Sequence, residues 1–172
     1  MAYELFLLPV APGADLEEAG EALLARLEGA DEVAADAAAD PALAALLDIV
    51  RRGDAAIGPA PTRTVSGAGV RPVPVADLRG AHGIEVTVSR AFVRFRVPFQ
   101  HRGDDADAVF ERLFRLLASV AAATGWLAYD PQEAIPVALD DAGRDETLEV
   151  YLTVMDQLRP GGSPAMPGRR SP

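Results

Sequence analysis

Four side chains in the middle of the chain have the types that acid–base catalysis or metal binding uses, namely His82, His101, Asp104 and Asp105. Imidazole and carboxylate groups bind transition metals, and imidazole exchanges protons near neutral pH. His82 precedes one predicted strand and His101 follows the next, so an antiparallel pair would bring all four towards one end of a sheet. However, the predicted register places residue 101 opposite residue 78, on the order of 13 Å from His82.

Two histidines without a ligand-spacing motif are a weak signal for a metal site. An aspartate at 104 or 105 is also expected to cap the helix that follows. We therefore predict that His82 and His101 are loop residues without a catalytic or metal-binding role. An enzyme or small-molecule sensor at the His82/His101 end of the sheet is kept as the alternative.

Arg94 and Arg96 form a second candidate site, on one face of a predicted strand. The alternation of residue types predicts that both project from the uncovered face of the sheet, with Glu85 directly opposite Arg94. We favour cross-strand ion pairing, which contributes roughly 0.2–1 kcal/mol per pair. A binding face for an anion, a partner or a small molecule is the alternative. Because side chains alternate along a strand, Phe6 and Phe92 are predicted on this same face. Apolar side chains there are expected to be covered by the C-terminal helix or by a second subunit.

The stretch Tyr129-Asp130-Pro131-Gln132 is a third candidate. Asp130, followed by Pro131 and then by Glu133, has the form of a capping box, so we predict that Asp130 caps a short helical turn. The alternative is a binding rim at the opposite end of the sheet from both histidines. That rim would consist of Tyr3, Arg90, Tyr129, Asp130 and Gln132.

Composition narrows the function classes. The chain has 172 residues, a formal net charge of −10 and no cysteine. The missing thiols exclude disulfides, thiolate zinc sites and cysteine nucleophiles. The negative charge repels a phosphate backbone, so we predict no nucleic-acid partner. Glu4 interrupts the N-terminal apolar run, which predicts no membrane partner and a cytoplasmic location. Residues 62–70 lack a phosphate-loop pattern, and we predict no cofactor.

Apolar periodicity predicts the elements that would position these groups. Residues 53–80 are rich in Gly and Pro and predict a long loop, with a Pro-broken edge strand near residues 73–75. A parity change across Ser89-Arg90 predicts a two-residue hairpin turn in which Val88 faces Ala91. Strands are predicted at 2–10, 84–88, 91–99 and 126–129, and helices at 15–29, 40–50, 104–124 and 145–158.

This order predicts an α+β protein with a ferredoxin-like β-α-β-β-α-β sandwich, an antiparallel-containing sheet, one additional helix and a C-terminal helix. Residues 1–133 are predicted to form the core domain. Residues 134–158 form an extension whose helix docks on that domain, because a free amphipathic helix is marginal in water. The Pro/Gly/Ser-rich tail at 159–172 is predicted to be disordered.

Two short motifs, MAYEL at residues 1–5 and YDPQ at 129–132, make the chain similar to a loose set of small uncharacterised bacterial proteins. Those proteins begin with a Met-x-Tyr-x-Leu strand and end their core with a strand running into Tyr/Phe-Asp-Pro-Gln. The resemblance covers about residues 1–133. Some of these acidic proteins look like immunity proteins for bacterial toxins, and the resemblance implies no catalytic residues.

We therefore predict a non-enzymatic protein-binding module, of which an immunity-like protein is one form. Besides the enzyme or sensor, a homodimer whose sheet faces pack together is a further alternative.

Overall fold

The computed structural model describes residues 1–11, 13–28, 30–34, 40–58, 62–67 and 73–158. The described strands are β1 Ala2–Leu8, β2 Ala30–Ala34, β3 Thr62–Gly67, β4 Val73–Arg79, β5 Glu85–Ser89, β6 Phe92–Pro98, β7 Leu127–Asp130 and β8 Ile135–Pro136. The described α-helices are α1 Leu16–Glu28, α2 Pro41–Gly53, α3 Asp104–Thr124 and α4 Asp141–Gln157. The predicted tail at 159–172 lies outside the described residues.

The strands form one antiparallel sheet in the order β2-β3-β4-β5-β6-β1-β7-β8. The α+β class is therefore confirmed, whereas the ferredoxin-like topology is not, because this order is not that of a simple ferredoxin-like sheet. The predicted long loop at 53–80 is wrong, since it contains β3 and β4. The strand predicted near residues 73–75 is present as β4, but it pairs with β3 and β5 and is not an edge strand. Pro74 lies opposite Thr64 of β3, and the pairing of β4 with β5 begins only at Val75, so its missing amide removes no bond to β5.

The helices cover both faces of the sheet. Leu43, Phe110 and Tyr151, from α2, α3 and α4, belong to one hydrophobic core together with the odd-numbered residues of β1. α1 lies on the other face, where Leu16 joins a second cluster that contains Phe6 and Phe92. The predicted cover for these two phenylalanines is thus wrong, because α1 provides it.

The helix ends follow the sequence signals in α2 but not in α3. Asp40 caps α2 by accepting hydrogen bonds from the amides of Ala42 and Leu43. Gly103 is the N-cap of α3 and supplies no side-chain cap, so the predicted cap by Asp104 or Asp105 is wrong. The carboxylate of Asp105 is directed instead to the histidines described below.

The predicted β5–β6 hairpin is confirmed, but its register is displaced by one residue in each strand. Ser89 pairs with Phe92, so the turn is Arg90-Ala91 rather than Ser89-Arg90. The hydroxyl of Ser89 accepts a hydrogen bond from the amide of Ala91, which stabilises this turn. Glu85 consequently lies opposite Arg96 and not opposite Arg94.

The C-terminal helix docks on the rest of the chain through its buried residues Leu148, Tyr151 and Met155. Its opposite side is exposed to solvent. None of the helices in the described part of the chain combines the length and the apolar character that a membrane crossing requires.

Candidate functional site

The two histidines lie together at one end of the sheet. Their ring centroids are 6.1 Å apart, and both rings approach Asp105. The predicted separation is wrong, because a 3-10 turn at Ala81–Gly83 folds the chain back beside His101. Within this turn His82 adopts a left-handed conformation with φ 56°. The exposed Asp104 begins α3 and is not part of the cluster.

His101 clamps several elements together. The Nδ1 atom lies 2.6 Å from a carboxylate oxygen of Asp105, and Nε2 donates to the carbonyl oxygen of His82 at 2.8 Å. The amide of His101 donates to the hydroxyl of Tyr151 at 3.1 Å. The ring is buried and both its nitrogens are engaged, so His101 joins the turn at His82 to the start of α3 and, through its amide, to α4. No group of three or more ligand side chains in the described residues is arranged to hold a metal ion.

His82 is half-exposed and lines an open cleft of about 350 Å³ beside this clamp. On its far side the guanidinium of Arg112 holds the carboxylate of Asp54 in two hydrogen bonds, of 2.7 and 2.5 Å. These bonds keep the pKa of Asp54 below its ordinary value. The lining consists of Gly53, Asp54, His82, Ala108, Glu111, Arg112 and Arg115. We call this the histidine cleft.

Asp130 is buried, with 2% of its surface exposed, and it caps the turn that follows β7. One carboxylate oxygen accepts from the amide of Gln132 at 2.7 Å and from that of Glu133 at 3.4 Å. The other accepts from the hydroxyl of Tyr3. The predicted cap is confirmed, although it stabilises a turn rather than a helix. Burial raises the pKa of Asp130, and the three hydrogen bonds oppose this rise.

The five residues of the predicted rim do not converge. Tyr3, Asp130 and Gln132 come together, since the side chain of Gln132 also accepts from the amide of Glu4. Tyr129 points to the opposite face of the sheet, into the cluster covered by α1. Arg90 is exposed in the β5–β6 turn.

The predicted placement of YDPQ at the opposite end from the histidines is wrong. β6 and β7 are both antiparallel to β1, so their final residues lie at the same end of the sheet. The ring of Tyr3 packs edge-on against that of Tyr151 at 6.0 Å, and Tyr151 accepts from the amide of His101. The Asp130 turn and the histidine cluster are therefore connected through two buried tyrosines.

Arg94 and Arg96 form polar contacts across the sheet. Arg96 donates to Glu4 at 2.9 Å and to Glu85 at 3.0 Å. Arg94 donates to the hydroxyl of Thr87 at 3.3 Å. Cross-strand ion pairing is confirmed for Arg96. Glu85 was predicted to face Arg94, but in the observed register it faces Arg96 and pairs with it.

A shallow groove of about 280 Å³ separates α3 from α4. Its apolar atoms come from Phe114, Ala118 and Leu139. Its edges carry the carboxylates of Glu111, Asp140 and Asp141 together with two arginines, Arg115 paired with Glu111 and Arg144 paired with Asp141. We call this the α3–α4 groove. The exposed side of α4 continues it with further carboxylates, at Asp145, Glu146 and Glu149. Positions 141, 145 and 149 are four residues apart and lie on one helix face.

This acidic face was absent from the candidates predicted from the sequence. The signal was nevertheless present, because the i, i+4 spacing of 141, 145 and 149 is visible within a predicted helix. Its orientation depends on which side of α4 packs inward, and Leu148 and Tyr151 determine that only in the folded chain.

Asp130→Asn is expected to gain stability relative to the natural chain as pH rises above about 4, the ordinary pKa of an aspartate. The folded pKa of Asp130 is raised, so the folded state holds this proton more tightly than the unfolded state. The unfolding free energy of the natural chain therefore falls as pH rises from the pKa of Asp130 in the unfolded state through its higher pKa in the folded state. Asparagine has no such proton and still accepts from the amides of Gln132 and Glu133. Urea unfolding at several pH values measures the difference.

The variant Asp130→Ala distinguishes the effect of the buried charge on stability from the effect of the lost cap. It removes the same proton and should show the same pH trend, but it also loses the cap, at a cost of about 1 kcal/mol. A stability difference that is independent of pH for both variants would contradict the role of the buried charge.

Comparison with protein-family models, curated proteins and solved structures gives no significant match. The resemblance based on MAYEL and YDPQ therefore stays a prediction.

Proposed function

We propose that the protein is a non-enzymatic binding module that recognises a basic partner protein through the α3–α4 groove and the acidic face of α4. One observation carries the proposal. α4 is anchored by buried apolar residues, so its outer side presents Asp141, Asp145, Glu146 and Glu149 while Arg144 is its single basic side chain.

The charges of this surface favour a basic partner. Arg144 is engaged with Asp141 at 3.3 Å and Asp145 at 2.7 Å. Glu146 and Glu149 make no ion pair with a described residue. Surface carboxylates of one sign steer an oppositely charged partner and accelerate association.

The groove adds apolar contact to this charge. Phe114 is buried beneath it with 6% exposure, and Leu139 is half-buried at its side. An arginine or lysine of a partner can lay its aliphatic stem on such atoms and direct its charge to the exposed carboxylates of Glu146 and Glu149 on α4. Apolar floors with polar rims are the usual anatomy of protein interfaces.

Within this proposal, the small size and negative charge of the chain and the YDPQ resemblance support an immunity-like role. A homodimer through the sheet faces has less support, because α1 already covers Phe6 and Phe92. Catalysis at His101 also has less support, since its ring nitrogens are committed to Asp105 and to the carbonyl of His82.

The proposal is tested by neutralising three carboxylates of α4 together, in the variant Asp145→Asn/Glu146→Gln/Glu149→Gln. The partner is first captured from the source cells, identified and purified. Titration calorimetry then measures its affinity for each variant. We expect the α4 variant to bind about tenfold more weakly or worse, because it loses three surface charges that face the partner.

The matched control is Glu17→Gln/Glu18→Gln/Glu21→Gln, which removes the same number of exposed charges from α1. We expect it to change affinity by less than about threefold, since those charges are remote from the interface. Equal weakening by both variants would indicate non-specific attraction to the net charge and would refute the proposed surface.

A further inference from the structure

His82 keeps an imidazole at a backbone position that glycine would occupy with less strain. Its φ of 56° and ψ of 19° are left-handed, and non-glycine residues in this region are uncommon and concentrate at functional sites. The carbonyl of His82 receives the bond from His101, so the clamp requires this backbone and not the His82 side chain. The half-exposed imidazole is not needed by the clamp, and it lines the histidine cleft.

The cleft has spare hydrogen-bond donors, while its carboxylates already have partners. Asp54 accepts two bonds from Arg112 and one from the amide of Ala56, and Glu111 accepts from Arg115. Among the described residues, nothing accepts from Nη1 of Arg112 or from Nε and Nη1 of Arg115. A guanidinium fork with donors left over is suited to carboxylate or phosphate oxygens.

The two arginines differ in how firmly they are held. Arg112 is fixed by its two-point contact with Asp54, whose side chain is only 10% exposed. Arg115 lies on the surface, 68% exposed, and its pair with Glu111 is of the exposed kind that contributes little stability. Arg115 can therefore exchange Glu111 for a ligand at little cost, while Arg112 stays in place.

From this arrangement we infer that the histidine cleft binds a small oxyanion, a carboxylate or phosphate group, through His82, Arg112 and Arg115. A carboxylate oxygen of Asp105 lies 3.6 Å from Nδ1 of His82, too far for a hydrogen bond but on that side of the ring, which leaves the other nitrogen available to the ligand. The volume of about 350 Å³ accommodates a small metabolite rather than a macromolecule. This site adjoins the proposed partner surface, because Glu111 and Arg115 line both the histidine cleft and the α3–α4 groove, whereas His82 and Arg112 belong to the cleft alone.

The test uses the full chain and two probes, inorganic phosphate and succinate, each titrated at constant ionic strength with sodium chloride. Nuclear magnetic resonance follows the ring signals of His82 and the side-chain signals of Arg112 and Arg115. We expect saturable shifts with a Kd of about 1 mM or tighter for at least one probe. The tighter probe identifies the oxyanion class.

Two variants locate the site. His82→Gly keeps the fold because glycine suits the left-handed backbone, and Arg115→Gln alters an exposed side chain. Their combination should weaken binding about tenfold. Arg90→Gln, which removes an exposed charge from the distant β5–β6 turn, should leave Kd within about twofold. Shifts that do not saturate, or a Kd that the cleft variants leave unchanged, would overturn the inference whether or not a partner binds α4.

Discussion

Gly143→Ala is expected to lower the unfolding free energy by about 3 kcal/mol, although alanine is the better helix former by about 1 kcal/mol. Gly143 is buried in the first turn of α4. A methyl group there would overlap the carbonyl oxygen of Ala138 and lie 2.8 Å from its carbonyl carbon. Because the obstacle is backbone, either α4 or the segment before it must move.

Urea unfolding followed by circular dichroism measures this effect, and Ala142→Gly is the matched control. Ala142 is the exposed neighbour in the same turn, so its substitution should cost no more than about 1 kcal/mol through helix propensity alone. If Gly143→Ala proved as stable as the natural chain, the close approach of α4 to Ala138 would be refuted. The orientation of the acidic face would then be refuted with it.

Tyr151→Phe is expected to cost about 2 kcal/mol, because it leaves the buried amide of His101 without a partner and removes one of the two hydrogen bonds that the carbonyl of Pro98 accepts. The hydroxyl of Tyr151 accepts from the amide of His101 at 3.1 Å and donates to the carbonyl of Pro98 at 2.8 Å. The ring itself stays packed against Tyr3, Phe99 and Phe110 in the variant. The loss therefore reports the bridge between α4 and the end of β6.

Tyr129→Phe is the matched control, because Tyr129 is another buried tyrosine with 1% exposure. Its hydroxyl makes no hydrogen bond within the described part of the chain. Its removal should change stability by less than about 0.5 kcal/mol. Urea unfolding measures both variants. Comparable losses of unfolding free energy would show that the hydrogen bonds of the Tyr151 hydroxyl do not stabilise the fold.

Local patterns predicted the elements whose signals lie within a short stretch. The alternation around β5 and β6, the Asp40-Pro41 start of α2 and the apolar stripe of α3 each correspond to a real element. The register of the hairpin was missed because a parity change shows only that the two strands face the same side. It does not distinguish a turn at Ser89-Arg90 from one at Arg90-Ala91. The hydrogen bond to the Ser89 hydroxyl selects the second.

The remaining errors arise from non-local pairing. β2 and β3 lie in Ala-rich and Gly/Pro-rich stretches with no clear period, and they become strands by pairing with each other and with β4. The meeting of His82 and His101 depends on the left-handed conformation of His82. The neighbouring Gly80 and Gly83 indicate a turn there, but apolar periodicity carries no information on its direction.

The proposed partner surface is tested most directly by titrating the purified partner into isotope-labelled protein and following the backbone amide signals. We predict that signals from residues 140–149 of α4 and from Glu111 and Arg115 shift or broaden, whereas those of residues 16–21 in α1 stay in place. Perturbation of α1 or of the β5–β6 turn, with 140–149 unchanged, would contradict a function carried by the acidic face of α4.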